Sequence, residues 1–174
     1  MMFVAHDVLL DIAFGVARPR LVSLASSRAF VDASRAAYQE GLVSLIRAGA
    51  ASSPAESEPT SRLAQVRFLP PVERAHTTTI GLRWEASGLS AGLFPVLDAD
   101  ITLAAASEQT TTLTLSGVYR TAAEAAALLG APVPDALEVG GGLTVSPTEA
   151  GLIGDVAVRA LLRYAAGHLT GSIK

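Results

Sequence analysis

LFPVLDADITLAAASEQTTTLTLSGVYR, residues Leu93 to Arg120, reads as two β-strands joined by a polar turn. In the first strand Leu93, Leu97, Ala99, Ile101 and Leu103 fall on one face, and Phe94, Asp98, Asp100 and Thr102 on the other. In the second, Leu113, Leu115, Gly117 and Tyr119 oppose Thr112, Thr114, Ser116 and Arg120. Strict period-two alternation describes a sheet with one dry and one wet face. Ser107-Glu108-Gln109-Thr110 supplies the turn. A sheet with one apolar face needs a cover, and the helical patterns near both ends of the chain are the candidates.

Outward from this pair the strands continue. Leu63 to Leu69 places Ala64, Val66 and Phe68 on one face, and Pro70-Pro71 ends it. Arg74 to Ala86 places His76, Thr78, Ile80, Leu82 and Trp84 together, with Thr77, Thr79, Arg83 and Glu85 opposite. Strands that follow one another with no helix between them form antiparallel meanders. Residues Phe3 to Val16 alternate as well, with Val4, His6, Val8, Leu10, Ile12, Phe14 and Val16 on one face. They are read as one long strand that Pro19 terminates.

Helical spacing governs the stretch from Arg20 to Gly49. Ser26 or Ser27 can cap its start, and a short helix over Leu21 to Ala25 precedes the longer one. Phe30, Ala33, Ala37, Leu42, Leu45 and Ile46 form the apolar stripe. AASSPAESEPTS, residues 50–61, is small, acidic and broken by proline, and is expected to be a mobile loop. Thr121 to Gly130 has helical propensity, and Leu137 to Val145 is read as a short strand. From Thr148 onward Ile153, Val156, Ala157, Ala160, Leu161, Tyr164, Ala165, His168 and Leu169 make one stripe, with Arg159 and Arg163 off it. That is a long amphipathic helix suited to lie across a sheet.

Composition narrows the function classes. The 174 residues suit a single domain over 1–174 with a substantial core. Half are hydrophobic and only 5% aromatic, so the core is aliphatic. A net charge of −3, and Arg67, Arg74, Arg83 and Arg120 scattered without interleaved aromatics, argue against nucleic-acid binding. The absence of cysteine removes disulfides, thiolate catalysis and cysteine zinc sites. Twelve of the thirteen basic residues are Arg, which together with the abundant Ala and Gly suggests a GC-rich bacterial source. The apolar start has no basic leader region, and His6, Asp7 and Asp11 interrupt it. No apolar run reaches the roughly 20 residues of a spanning helix, so a cytoplasmic protein with no membrane span is expected.

No catalytic motif stands out. Gly140-Gly141-Gly142 lacks the lysine and the preceding buried strand of a phosphate loop, and no GxSxG elbow occurs. Asp98 and Asp100 share a face, but it is the one opposite the leucines and reads as solvated. The alternation projects His6, His76, Trp84 and Tyr119 inward, and His168 lies on the stripe of the last helix. All three histidines are thus expected to face one interior. The ordinary reading of His6, Tyr119 and His168 is a polar tip reaching solvent near an element end, and that of Trp84 is core. A three-histidine metal site lacks diagnostic spacing. No metal and no cofactor are expected.

The order of strand, helices, antiparallel strands and long closing helix resembles the helix-grip fold of the START and pollen-allergen superfamily, which includes the polyketide cyclase/dehydrase-like proteins. SRAAYQEGLVSLIRAG (Ser34 to Gly49), RWEASG (Arg83 to Gly88), LFPVLDADITL (Leu93 to Leu103) and SGVYR (Ser116 to Arg120) are similar to an uncharacterised actinobacterial family of that superfamily. The resemblance covers roughly Phe3 to Arg120 and, weakly, the last helix. One departure is the long connection 121–147, whose glycine triplet has no counterpart.

The resemblance implies an α+β helix-grip fold, a curved antiparallel β-sheet wrapped around a long C-terminal helix. It also implies an internal cavity that takes a hydrophobic small molecule of lipid, polyketide or isoprenoid type. With the alternation, it nominates His6, His76, Leu82, Trp84, Leu97, Ile101, Leu115, Tyr119, Tyr164 and His168 as cavity residues. Three functions stay open: a binder or carrier, a cyclase, dehydratase or isomerase with a cavity His or Tyr as general acid/base, and a protein-interaction module whose cavity is filled.

Overall fold

The computed structural model describes residues 2–33, 36–37, 40, 64–86, 96–120, 137–139, 143–145 and 147–171. The expected loop 50–61 and helix 121–130 lie outside these residues. Strand β1 (Met2–Leu10) leads into helix α1 (Phe14–Ala25) and then α2, whose described residues 28–33, 36–37 and 40 are helical. Five strands follow: β2 (Ala64–Phe68), β3 (Val72–Glu73), β4 (Thr77–Ala86), β5 (Val96–Ala105) and β6 (Thr111–Arg120). A small hairpin of β7 (Leu137–Val139) and β8 (Leu143–Val145) flanks the glycine triplet. Helix α3 (Pro147–Thr170) closes the chain.

The first six strands form one curved antiparallel sheet in the order β1-β6-β5-β4-β2, with β3 also on β4. Helix α3 packs on β1, β6 and α1. This is the expected α+β helix-grip arrangement. The alternation predicts the core: Ile80, Leu82 and Trp84 on β4, Leu97, Ile101 and Leu103 on β5, and Leu113 and Leu115 on β6 are buried. Asp98 and Arg83 form an ion pair across the outer face at 3.4 Å, and Asp100 is exposed. The turn after β5 closes as expected, with Ser107 Oγ accepting from the N–H groups of Gln109 and Thr110.

Two sheet features follow from single residues. Gly117 faces Ala99 so closely that a Cβ on it would lie 2.4 Å from Ala99 Cβ and 2.4 Å from Asp98 O. Ordinary cross-strand Cβ separations are about 4.5–5.5 Å, so β5 and β6 come this close here only because residue 117 has no side chain. Thr111, fully buried at the start of β6, donates from Oγ1 to Ile12 O at 2.7 Å and holds the β1–α1 junction. Thr111→Val keeps the shape and orphans that carbonyl. We expect it to cost about 1–3 kcal/mol in chemical denaturation, and a loss under about 0.3 kcal/mol would show that solvent satisfies Ile12.

The N-terminal reading needs correction. The strand stops at Leu10, and Phe14 and Val16 belong to α1, with Pro19 inside the helix. Ala17, Leu21 and Leu24 are buried at i, i+4 and i+7, and that packed stripe outweighs the period-two pattern. Pro19 withholds the N–H that Gly15 O would accept, but residues 18–20 are exposed, so water can serve that carbonyl. Ser27 sits where α2 begins, yet its hydroxyl turns back to Leu24 O at 2.7 Å.

Helix α3 begins at Pro147, a residue suited to a first turn. It ends at Gly171, whose φ of +76° suits a residue without Cβ. Arg20 Nη1 donates to Leu169 O at 2.6 Å, placing positive charge at the helix C-terminus. Ion pairs Arg163–Glu40 and Arg18–Glu73 tie α3 to α2 and α1 to β3. Among the described residues, no helix is long and apolar enough to cross a membrane.

Candidate functional site

The antiparallel register stacks inward residues into rungs that cross the sheet. One rung runs His6, Leu115, Ile101, Ile80. The next runs Val4, Gly117, Ala99, Leu82, Phe68, and the third Met2, Tyr119, Leu97, Trp84, Val66. Five of the nominated residues, Leu82, Trp84, Leu97, Ile101 and Leu115, are therefore buried against the helices. Tyr119 takes the expected backbone position between Met2 and Leu97, and its side chain lies outside the described residues.

At the Trp84 end of the sheet a gap separates strands from helices. Ala37 of α2, Trp84, Leu97, and Ala157, Val158 and Leu161 of α3 line a narrow, partly open crevice, none of it wide enough for a water molecule. Its described lining is aliphatic apart from the indole. Two nominated residues, Trp84 and Leu97, line it. Ala37, Ala157 and Leu161 belonged to the helical stripes but were not nominated. Val158 was on no stripe, because α3 is covered on a broad arc that also buries Leu162. A helix lying in a curved sheet and flanked by other helices buries more than one narrow stripe.

The histidines do not converge. His76 is exposed, preceding β4, and its carbonyl accepts from Ala105 N at the strand end. Extending the β4 alternation to residue 76 was wrong because the pleat begins at Thr77. His6 is half-buried against α3 at Asp155, and His168, itself a residue of α3, is half-buried in that helix's last turn. Thirteen residues separate His168 from Asp155, the partner of His6, which is roughly 20 Å of helix. His168 stacks on Tyr164 with ring centroids 6.4 Å apart and planes at 17°.

His6 makes the polar contact that spans sheet and helix. Its Nε2 lies 2.8 Å from Asp155 Oδ1, and Asp155 Oδ2 lies 3.0 Å from Arg159 Nε. A carboxylate only accepts, so Nε2 carries the proton and, in the neutral ring, Nδ1 is the free base. Sequence reading placed His6 inward correctly. It could not find Asp155, which is 149 positions away. One polar anomaly remains deeper: Thr78 Oγ1 is fully buried with no hydrogen-bond partner among the described residues. Among those residues no cluster of three or more His, Asp or Glu forms a metal site.

Comparison with known proteins identifies no family for this chain. No protein-family model and no curated protein matches the chain. The crystal structure of the Zhui aromatase/cyclase from Streptomyces sp. R1128 is similar over 98% of this chain and 92% of that one, at 14% identity and a TM-score of 0.41. So distant a likeness leaves the functional reading to the residues of this chain.

Proposed function

We propose that this protein is a cytoplasmic single-domain binder of an apolar small molecule, of lipid, polyketide or isoprenoid type, held between the sheet and the C-terminal helix. The observation that supports it is the aliphatic gap at Trp84, with Ala37 and Ala157 as small walls. Apolar packing with no room for water receives an apolar guest without displacing bound water. Each 100 Å² of guest surface buried contributes about 2.5 kcal/mol before association costs. The gap is narrower than a water molecule, so a guest must push side chains apart, and the small alanine walls leave Leu161 and Val158 to yield.

Trp84 is the only tryptophan, so its fluorescence reports on this gap alone. Titration with decanoic acid and with anthraquinone is expected to give a saturable change in Trp84 emission with one of them. The melting temperature should rise with it, as about 2.7 kcal/mol of stabilisation at 100 times Kd requires. Unchanged emission and melting temperature with both classes overturn the binder and favour an interaction module with a filled interior.

The His6–Asp155 pair favours a second reading, a cyclase, dehydratase or isomerase. Nδ1 of a carboxylate-oriented imidazole is a competent general base. His6 does not line the Trp84 crevice, so this reading places the ketone beside His6. His6→Gln would then abolish turnover while leaving the melting temperature unchanged, and loss of both would mark His6 as structural.

A further inference from the structure

We infer that β1 is a self-association edge, and that two copies of this chain join their sheets antiparallel about His6. The two ends of the six-stranded sheet are unlike. β2 is five residues long and runs into Pro70-Pro71, which block strand addition. β1 is nine residues long, contains no proline, glycine or lysine, and pairs only with β6 among the described residues. Among the described residues nothing covers its outer edge, and long edges of this kind recruit another strand. β1 also carries two of the largest exposed apolar side chains, Phe3 at 73% and Leu9 at 63% exposure, both on the outer face.

The register follows from the residues. In a continuous sheet, opposed residues must point to the same face, so their numbers sum to an even value. A sum of 12, centred on His6, overlaps all nine residues, with Met2 opposite Leu10. It places Phe3 opposite Leu9 twice by symmetry, converting four exposed apolar side chains into two cross-strand pairs. It also sets Asp7 against Ala5. A register centred on Asp7 would put two carboxylates face to face and Leu9 against Ala5. One centred on Ala5 would set Phe3 against Asp7. Apolar matching and charge therefore select the same alignment. On the concave side the two His6 rings meet at the dyad, each hydrogen-bonded to its own Asp155 carboxylate.

Sedimentation of the full chain over a concentration series tests this. The expected result is a species of twice the 17.9 kDa chain mass, in equilibrium with monomer. The double variant F3K/L9K, altering only exposed side chains, should keep its melting temperature and raise the dimer dissociation constant at least about tenfold. The native chain has no cysteine, so cross-linking reports the register directly. F3C/L9C should oxidise to a covalent dimer, and D7C should not. A monomer at every concentration up to about 100 μM, a dimer that persists in F3K/L9K, or cross-linking by D7C in place of F3C/L9C would each overturn the inference.

Discussion

Gly117→Val is expected to lower the melting temperature by roughly 6–12 °C. The figure follows from overpacking of about 3 kcal/mol at about 2–4 °C per kcal/mol for a chain of this size. The reason is geometric. A Cβ at 117 would already lie 2.4 Å from Asp98 O and 2.5 Å from Ala99 Cα. Two of the three nearest atoms are backbone, so no rotamer change relieves the clash, and β5 must move away from β6. Gly117→Ala should therefore lose most of the same stability. Adding Ala99→Gly should recover only part, because removing one methyl leaves the backbone contacts. Circular-dichroism melts of the three variants decide it. A shift under about 2 °C for Gly117→Val would mean the strands separate here at little cost.

Leu161→Ala should be about as severe, and it bears on function. Leu161 is buried where α3 meets the gap. Truncating it removes buried methyl groups and opens a cavity beside Trp84, which costs about 3 kcal/mol. The same substitution widens the proposed binding space. Benzene should therefore raise the melting temperature of the Leu161→Ala variant more than that of the parent, as engineered apolar cavities do. A variant destabilised as expected but indifferent to benzene would indicate that the helices collapse onto Trp84. The binding proposal would then lose its structural support.

Much of the sheet was legible in the linear pattern. Residues 97–103 and 113–115 have one buried face whatever lies opposite, because side chains alternate across a pleat by geometry alone. The closing helix was legible for the same kind of reason, its stripe being a property of 3.6-residue periodicity. The errors came where two periods overlap or an element ends. Ile12, Phe14 and Val16 satisfy a strand pattern, while Ala17, Leu21 and Leu24 satisfy a helical one. The choice between them was made by packing against α3 and β5. His76 fits the β4 alternation, but the chain leaves the sheet before reaching it.

The candidate site was less legible than the fold, and for a definite reason. Local periodicity assigned His6, Trp84 and Leu97 to the interior, since each sits in an alternating run. Which interior residues meet is a matter of register and helix placement, and these are long-range. His6 meets Asp155, and Trp84 meets Leu161, only because α3 crosses the concave face at one particular height. The sequence by itself determined the faces of the strands and the stripe of the last helix, because those depend on backbone geometry repeated every two or 3.6 residues. Tertiary structure alone decided that the three histidines lie apart, that Val158 is buried and that Gly117 permits the close approach of β5, because these depend on distances between segments that no local period encodes.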